Sequence, residues 1–272
     1  MKPEYTSKTP KTILTKGNGF LSGYSYSLNP YAGCSFACSY CYVRQMPIAV
    51  FRGADWGAWV DIKKDAAPLL QKELKRAKAK GPVTIFMSSS TDPYQPVEHK
   101  ERITRSLLET MADDPPDFLF LQTRSPLVRR DIDVLQHLGS KVRVSMTIET
   151  DLDHIRKHFS PYAPPIAARL KTLELLRDAQ VPAQATIAPV LPSSEQFPHI
   201  LKPLVNRVCV DDFFMGDGSG GKRTRRLGIQ ALYTEIGMEE WYHPSAWRKV
   251  YDRMRQVFPE EQLGVNLEGF SP

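Results

Sequence analysis

The stretch CSFACSYC, residues 34–41, holds three of the chain's four cysteines, Cys34, Cys38 and Cys41, in C-x3-C-x2-C spacing. Thiolates are soft ligands and suit zinc or iron–sulfur chemistry. A closed structural zinc site takes four ligands, and the nearest histidine, His99, lies far along the chain. Three thiolates fit a [4Fe–4S] cubane better, leaving one iron open to bind and activate a small molecule. The rival is a non-catalytic zinc-binding nucleic-acid module, built on a zinc site and basic loops. Cys209 differs, because it sits inside the apolar run RVCVD, where a small buried thiol is the default and a hydrogen-atom donor or extra ligand the lesser reading.

The elements that must position these thiols follow from length and pattern. With 272 residues and 42% apolar content the chain can bury one large α/β core without disulfide staples, and its crowded cysteines do not form a dispersed disulfide framework. Strand-like runs at 24–28, 83–88, 117–123, 141–148, 183–190 and 206–212 alternate with helical patterns at about 61–80, 98–112, 126–138, 165–180 and 194–205. Such alternation builds a parallel sheet, open or curled toward a barrel, with active groups on loops at the carboxyl ends of the strands. The cysteine loop follows the first of these strands. Residues 1–23 read as an N-terminal arm, 24–258 as the domain body and 259–272 as a tail with one strand at most. The start has no apolar leader and no run of about 18 apolar residues follows, so the expectation is a cytoplasmic protein without a membrane partner.

The C-x3-C-x2-C loop ahead of a βα series resembles the radical S-adenosylmethionine superfamily. Within it, NPYAGCSFACSYCYVR (29–44), SSSTDPYQPVE (88–98), TRSPLVRRDIDVL (123–135) and RLKTLELLRDAQVPAQATIAPVLP (169–192) are similar, in the same order, to the spore photoproduct lyase group. The resemblance implies a partial (β/α)6 barrel, a [4Fe–4S] cluster on Cys34, Cys38 and Cys41, and S-adenosylmethionine chelating the open iron. It also implies an electron from an external donor of flavodoxin or ferredoxin type, cleavage to a 5′-deoxyadenosyl radical, and hydrogen abstraction from a substrate. That substrate is a nucleobase by analogy with the lyase, or else a peptide or tRNA.

The same resemblance gives residue roles. Tyr40 stands where family members pack an aromatic ring near the adenine. Thr91 and Asp92 could reach the ribose or amino group, although Asp-Pro is also an ordinary turn pair. Arg124 matches a basic residue aimed at the cofactor carboxylate, with a plain surface charge as the alternative. Glu149 and Arg169 are weaker candidates that could simply pair with other loop residues. Tyr42, Tyr94 and the four tryptophans could stack on a base, but such positions are more often core or rim. The lyase proper donates hydrogen from a cysteine in the loop where this chain reads SSST, residues 88–91. Serine's O–H bond is too strong for that task, so the resemblance does not extend to that donor step.

Lys and Arg total 36 against 30 Asp and Glu, and the surplus concentrates in residues 63–80 and in KRTRR, 222–226. A phosphate-bearing partner is one reading of these runs. A solvated helix face for the first and a mobile charged loop for the second are the others. Oligomeric state leaves no mark in the sequence.

Overall fold

The computed structural model describes residues 3–272. Eleven strands occur there: β1 (Glu4–Lys8), β2 (Leu14–Lys16), β3 (Tyr26–Leu28), β4 (Tyr31–Ala32), β5 (Trp59–Lys63), β6 (Thr84–Met87), β7 (Phe118–Thr123), β8 (Val142–Thr147), β9 (Ala183–Ile187), β10 (Val208–Val210) and β11 (Leu263–Val265). The main sheet runs β11-β10-β9-β8-β7-β6-β3-β2. All its pairings are parallel except β2 on β3. Strands β3 and β6 to β10 are the six of a partial (β/α)6 barrel, with β2 and β11 added at its edges. A smaller sheet, β1-β5-β4, flanks it.

The parallel strands are near-continuous apolar runs because both faces are covered. Ile85, Met87, Leu119, Leu121, Val144, Met146, Ile187 and Val210 are buried on the outer face. Helices Ala66–Lys78, Ile103–Asp113, Ile132–Leu138 and Ile166–Asp178 supply the surrounding layer. The basic run at 63–80 is the solvated face of the first of these helices, whose Leu70, Leu74 and Ala77 are buried.

The inner face divides in two. At the amino end Tyr24, Phe86, Phe120, Cys209 and Phe270 form a dry cluster. The C-terminal segment closes this end: the Tyr24 hydroxyl donates to the Phe270 carbonyl at 2.5 Å, Gln184 Nε2 to the Gly269 carbonyl at 3.0 Å, and Arg143 Nη1 to the Ser271 carbonyl at 3.0 Å. A side chain at Gly269 would collide with Cys209 Sγ, so the thiol packs directly on backbone. Toward the carboxyl end the inner face turns polar, with Ser145, Gln184 and Thr186 hydrogen-bonded to one another.

Three sequence expectations change. The helix expected from residue 61 begins at Ala66, because residues 59–63 pair with both β1 and β4 as strand β5 and Asp65 takes a left-handed turn. The helix expected over 194–205 shortens to Phe197–Leu201. KRTRR is a short helix, Lys222–Arg226, rather than a loose loop, because Asp217 gathers the Gly-rich turn before it. The Asp217 carboxylate accepts from the amides of Ser219, Gly221 and Thr224. The turn's ring of N–H groups therefore encloses the chain's own carboxylate.

Candidate active site

Loops from the carboxyl ends of β3, β6, β7 and β10 line one cavity of about 580 Å³, and Thr147 at the end of β8 and Ala188 just past β9 also reach its wall. Cys34, Cys38 and Cys41 all face it. Their loop depends on close backbone packing. Gly33 takes φ +82° against Trp59, whose carbonyl leaves no room for a Cβ. Gly33 also lends its carbonyl to Thr91 Oγ1 at 2.6 Å and Gln95 Nε2 at 3.2 Å. Arg44 clamps the loop from outside, donating to the carbonyls of Ala37 and Cys38 at 2.7 and 2.9 Å.

The donor set suits an iron–sulfur cluster. All four cysteines are free thiols, and three of them come from one eight-residue loop on one cavity wall. Burial, reinforced by the charges of Asp92 and Cys38, pushes the Cys34 thiol far above its ordinary range; burial and Cys38 push Cys41 up to about 11. Such sites become thiolates when a bound metal centre supplies the compensating positive charge. Cys209 lies on the dry cluster, outside the cavity wall.

The other sequence candidates fall into two sets. Tyr40, Arg124, Glu149 and Arg169 form one buried chain of contacts. Arg124 Nη1 donates to Tyr40 Oη at 2.7 Å and to Cys38 Sγ at 3.1 Å, and lies 3.5 Å from Glu149 Oε1. Tyr40 in turn donates to Glu149 Oε1 at 3.1 Å, and Arg169 Nη1 binds Glu149 Oε2 at 2.6 Å. Burial opposes the Glu149 charge, but the Arg169 and Arg124 guanidiniums outweigh it and hold the carboxyl below its usual range. Glu149 and Arg169 are both fully buried, so each is the other's counter-charge, and the pair anchors Arg124 beside the cysteine loop.

Thr91 and Asp92 form the second set, and both bond inward. Asp92 Oδ1 accepts from Tyr94 N and Thr123 Oγ1 at 2.9 and 2.8 Å, while Oδ2 accepts from Arg124 N at 2.8 Å. Asp92 thereby ties the β6 loop to the start of the β7 loop. Tyr42 lines the cavity and donates to the Ser89 carbonyl at 2.5 Å; Tyr94 is core, donating to Asp131 at 3.0 Å.

Sequence reading passed over several polar residues on the cavity wall: Ser88, Gln122, Asp211 and Asp212. Burial, with the nearby charges of Asp212 and Asp217, raises the Asp211 carboxyl to about 7 despite a hydrogen bond from Asn266 Nδ2 at 2.9 Å. Polar residues at inward positions of otherwise apolar strands, as in FLFLQT, were the available signal.

The cavity and its three thiols thus define a partial-barrel enzyme with a soft-ligand centre at the carboxyl end of its strands. The sequence model of the Radical SAM superfamily matches residues 28–202. The chain belongs to that superfamily, and its cofactors are a [4Fe–4S] cluster and S-adenosylmethionine. An uncharacterized protein of Methanocaldococcus jannaschii is 32% identical over 68% of this chain and 69% of its own length. An uncharacterized protein of Mycobacterium bovis is 26% identical over 76% of this chain, which spans 63% of that relative. Among solved structures, a variant of spore photoproduct lyase with bound AdoMet and dinucleoside spore photoproduct superposes with a TM-score of 0.65 at 16% identity, covering 96% of this chain and 81% of the other. At that identity the likeness is one of fold. No helix among the described residues is long and apolar enough to cross a membrane.

Proposed function

We propose that this radical SAM enzyme takes a hydrogen atom from a nucleobase-bearing substrate held in the barrel cavity, as a repair or modification reaction, drawing its electron from an external flavodoxin- or ferredoxin-type donor. The observation that carries this reading is the shared cavity: the three cluster-type thiols and the polar inner wall of the barrel face the same space of about 580 Å³. That volume falls in the range of small-molecule and cofactor sites. The lyase fold, in a relative whose structure holds a dinucleoside photoproduct, supports the substrate class.

Cys34, Cys38 and Cys41 would hold the cluster. With its cofactors bound the site would supply radical chemistry able to take a hydrogen atom from an otherwise inert C–H bond. The chain's own part is positioning and exclusion of water. Arg124 stands beside Cys38, fixed by Tyr40 and Glu149, and would offer its charge to the cofactor carboxylate. Thr91 pins the backbone just before Cys34. Phe213 packs 5.9 Å from the Tyr40 ring, and helix Lys222–Arg226 follows it in the same loop from β10.

Among the described residues on the cavity wall, the cysteines are 34, 38 and 41 alone. No further thiol stands there to return hydrogen to a substrate radical, which separates this chemistry from the lyase's own donor step. The test is anaerobic incubation of reduced enzyme with deuterium-labelled nucleic acid. Label appearing in 5′-deoxyadenosine supports the reading. Label arriving only from a deuterated peptide would assign the enzyme to peptide modification.

A further inference from the structure

Buried polar atoms rarely go without partners, because each one left alone forfeits its hydrogen bonds to water. Three such atoms share the wall of this cavity: Ser88 Oγ, Gln122 Oε1 and Asp212 Oδ2. Their surroundings make them deliberate. Ser88 is 4% exposed and holds φ +75°, a left-handed conformation that costs a serine strain. Gln122 spends its amide nitrogen on Thr147 Oγ1 at 2.6 Å, which fixes its carbonyl oxygen as the free acceptor. Asp212, 5% exposed, caps the turn after it through Oδ1, accepting from Phe214 N and Met215 N at 2.8 Å each, so Oδ2 is the oxygen left over.

Two of these atoms accept only, and the Ser88 hydroxyl both donates and accepts. Asp211, next to Asp212, adds another buried carboxyl on the same wall, and Gly216 makes room for it: a Cβ there would sit 2.0 Å from Asp211 Oδ2. A phosphate or carboxylate would bring the Gln122 and Asp212 oxygens no donor. What satisfies them is a ligand that brings N–H donors. The wall also includes Phe20, Phe86 and Phe270, flat apolar surfaces suited to a ring.

We infer that this part of the cavity is a recognition chamber for a single planar, N–H-donating heteroaromatic ring, an amino-bearing nucleobase, read by Ser88, Gln122 and Asp212. The inference rests on the nucleic-acid reading above and sharpens it. Acceptors match the exocyclic amines of cytosine and adenine better than thymine, whose Watson–Crick edge offers one N–H between two carbonyls.

The test uses reconstituted, anaerobic enzyme with S-adenosylmethionine and three short single-stranded ligands: an oligodeoxycytidylate, an oligothymidylate and an abasic oligomer with the same phosphates. The expected result is oligodeoxycytidylate binding about tenfold or more tighter than the abasic strand, with the thymidylate between them. Ser88→Ala and Gln122→Met should each shrink that ratio severalfold while leaving S-adenosylmethionine affinity unchanged. Equal affinity for the three strands overturns the inference. So does an unaltered ratio in both variants, or a loss of S-adenosylmethionine affinity in them, which would assign the atoms to the cofactor's own adenine. The two readings fail separately: base-selective binding without label transfer defeats hydrogen abstraction from nucleic acid and leaves the chamber standing. Label transfer with base-blind binding does the reverse.

Discussion

At the amino end of the barrel Phe86 stacks on Phe120 with ring centroids 4.9 Å apart, Tyr24 meets Phe86 edge-on, and Cys209 fills the space against Gly269. At the carboxyl end, on the same inner face, Ser88, Gln122 and Asp212 hold polar atoms without partners and Cys34, Cys38 and Cys41 remain unpaired thiols. The first arrangement is built on apolar contact, and its one hydroxyl, on Tyr24, is hydrogen-bonded. The second spends stability to hold groups ready for something outside the chain. Phe86 touches both, so the dry end is the platform on which the costly end is assembled.

The contrast is sharpest for the cysteines. Replacing Cys34, Cys38 or Cys41 by Ala should abolish the cluster, read as loss of iron, sulfide and the brown colour after anaerobic purification. Cys209→Ala should keep its iron, because that thiol supplies packing alone. Iron loss in the Cys209 variant would break the division between the two ends. Next in size, Phe120→Ala opens a void in the stacked cluster and should destabilise the fold by about 3–5 kcal/mol in urea unfolding. A cost near zero would mean that the amino end is not the platform described.

Arg124→Ala probes the active end without touching the stack. It should weaken S-adenosylmethionine binding by about 1.5–3 kcal/mol, the scale of a charge-assisted hydrogen bond, with iron content intact. Unchanged affinity would confine Arg124 to holding Tyr40 and Glu149.

The smallest effect concerns acidity. Burial lets Asp211 keep its proton up to about pH 7 in the fold, whereas the unfolded chain releases it near pH 4. The folded state binds the extra proton between those values, so this group's contribution is greatest below about pH 4 and is lost as pH rises through about 7. Asp211→Asn removes that penalty. Its stability advantage over the parent should grow by roughly 2 kcal/mol between about pH 5.5 and about pH 8. A pH-independent difference would place the Asp211 carboxyl in contact with water.

The parallel strands were legible because burial on both faces writes them as apolar runs, and the cysteine loop was legible because its spacing is a ligand pattern. Strands β1 and β5 were not. EYTSK is mostly exposed and becomes strand only by pairing with WVDIK, whose charged continuation reads as helix. Gln122, Asp211 and Asp212 carry no motif, and Ser88 stands in the SSST motif only where a thiol is missing; the meaning of each comes from strands far apart in sequence. For Glu149 and Arg169 the sequence leaves a cofactor role and simple pairing side by side; the fold brings the two together as a buried pair, a distance that no local pattern encodes.

The C-terminal segment lays a floor across part of the barrel's amino end. Tyr24, Arg143 and Gln184 fasten it by three backbone carbonyls, and Phe270 is at once its stopper and part of the cavity wall. That floor narrows the routes by which solvent and dioxygen reach a radical generated above it. Cutting the chain after Val265 would pull the plug. Such an enzyme would still consume its cofactor, but the radical would leak into idle turnover instead of product.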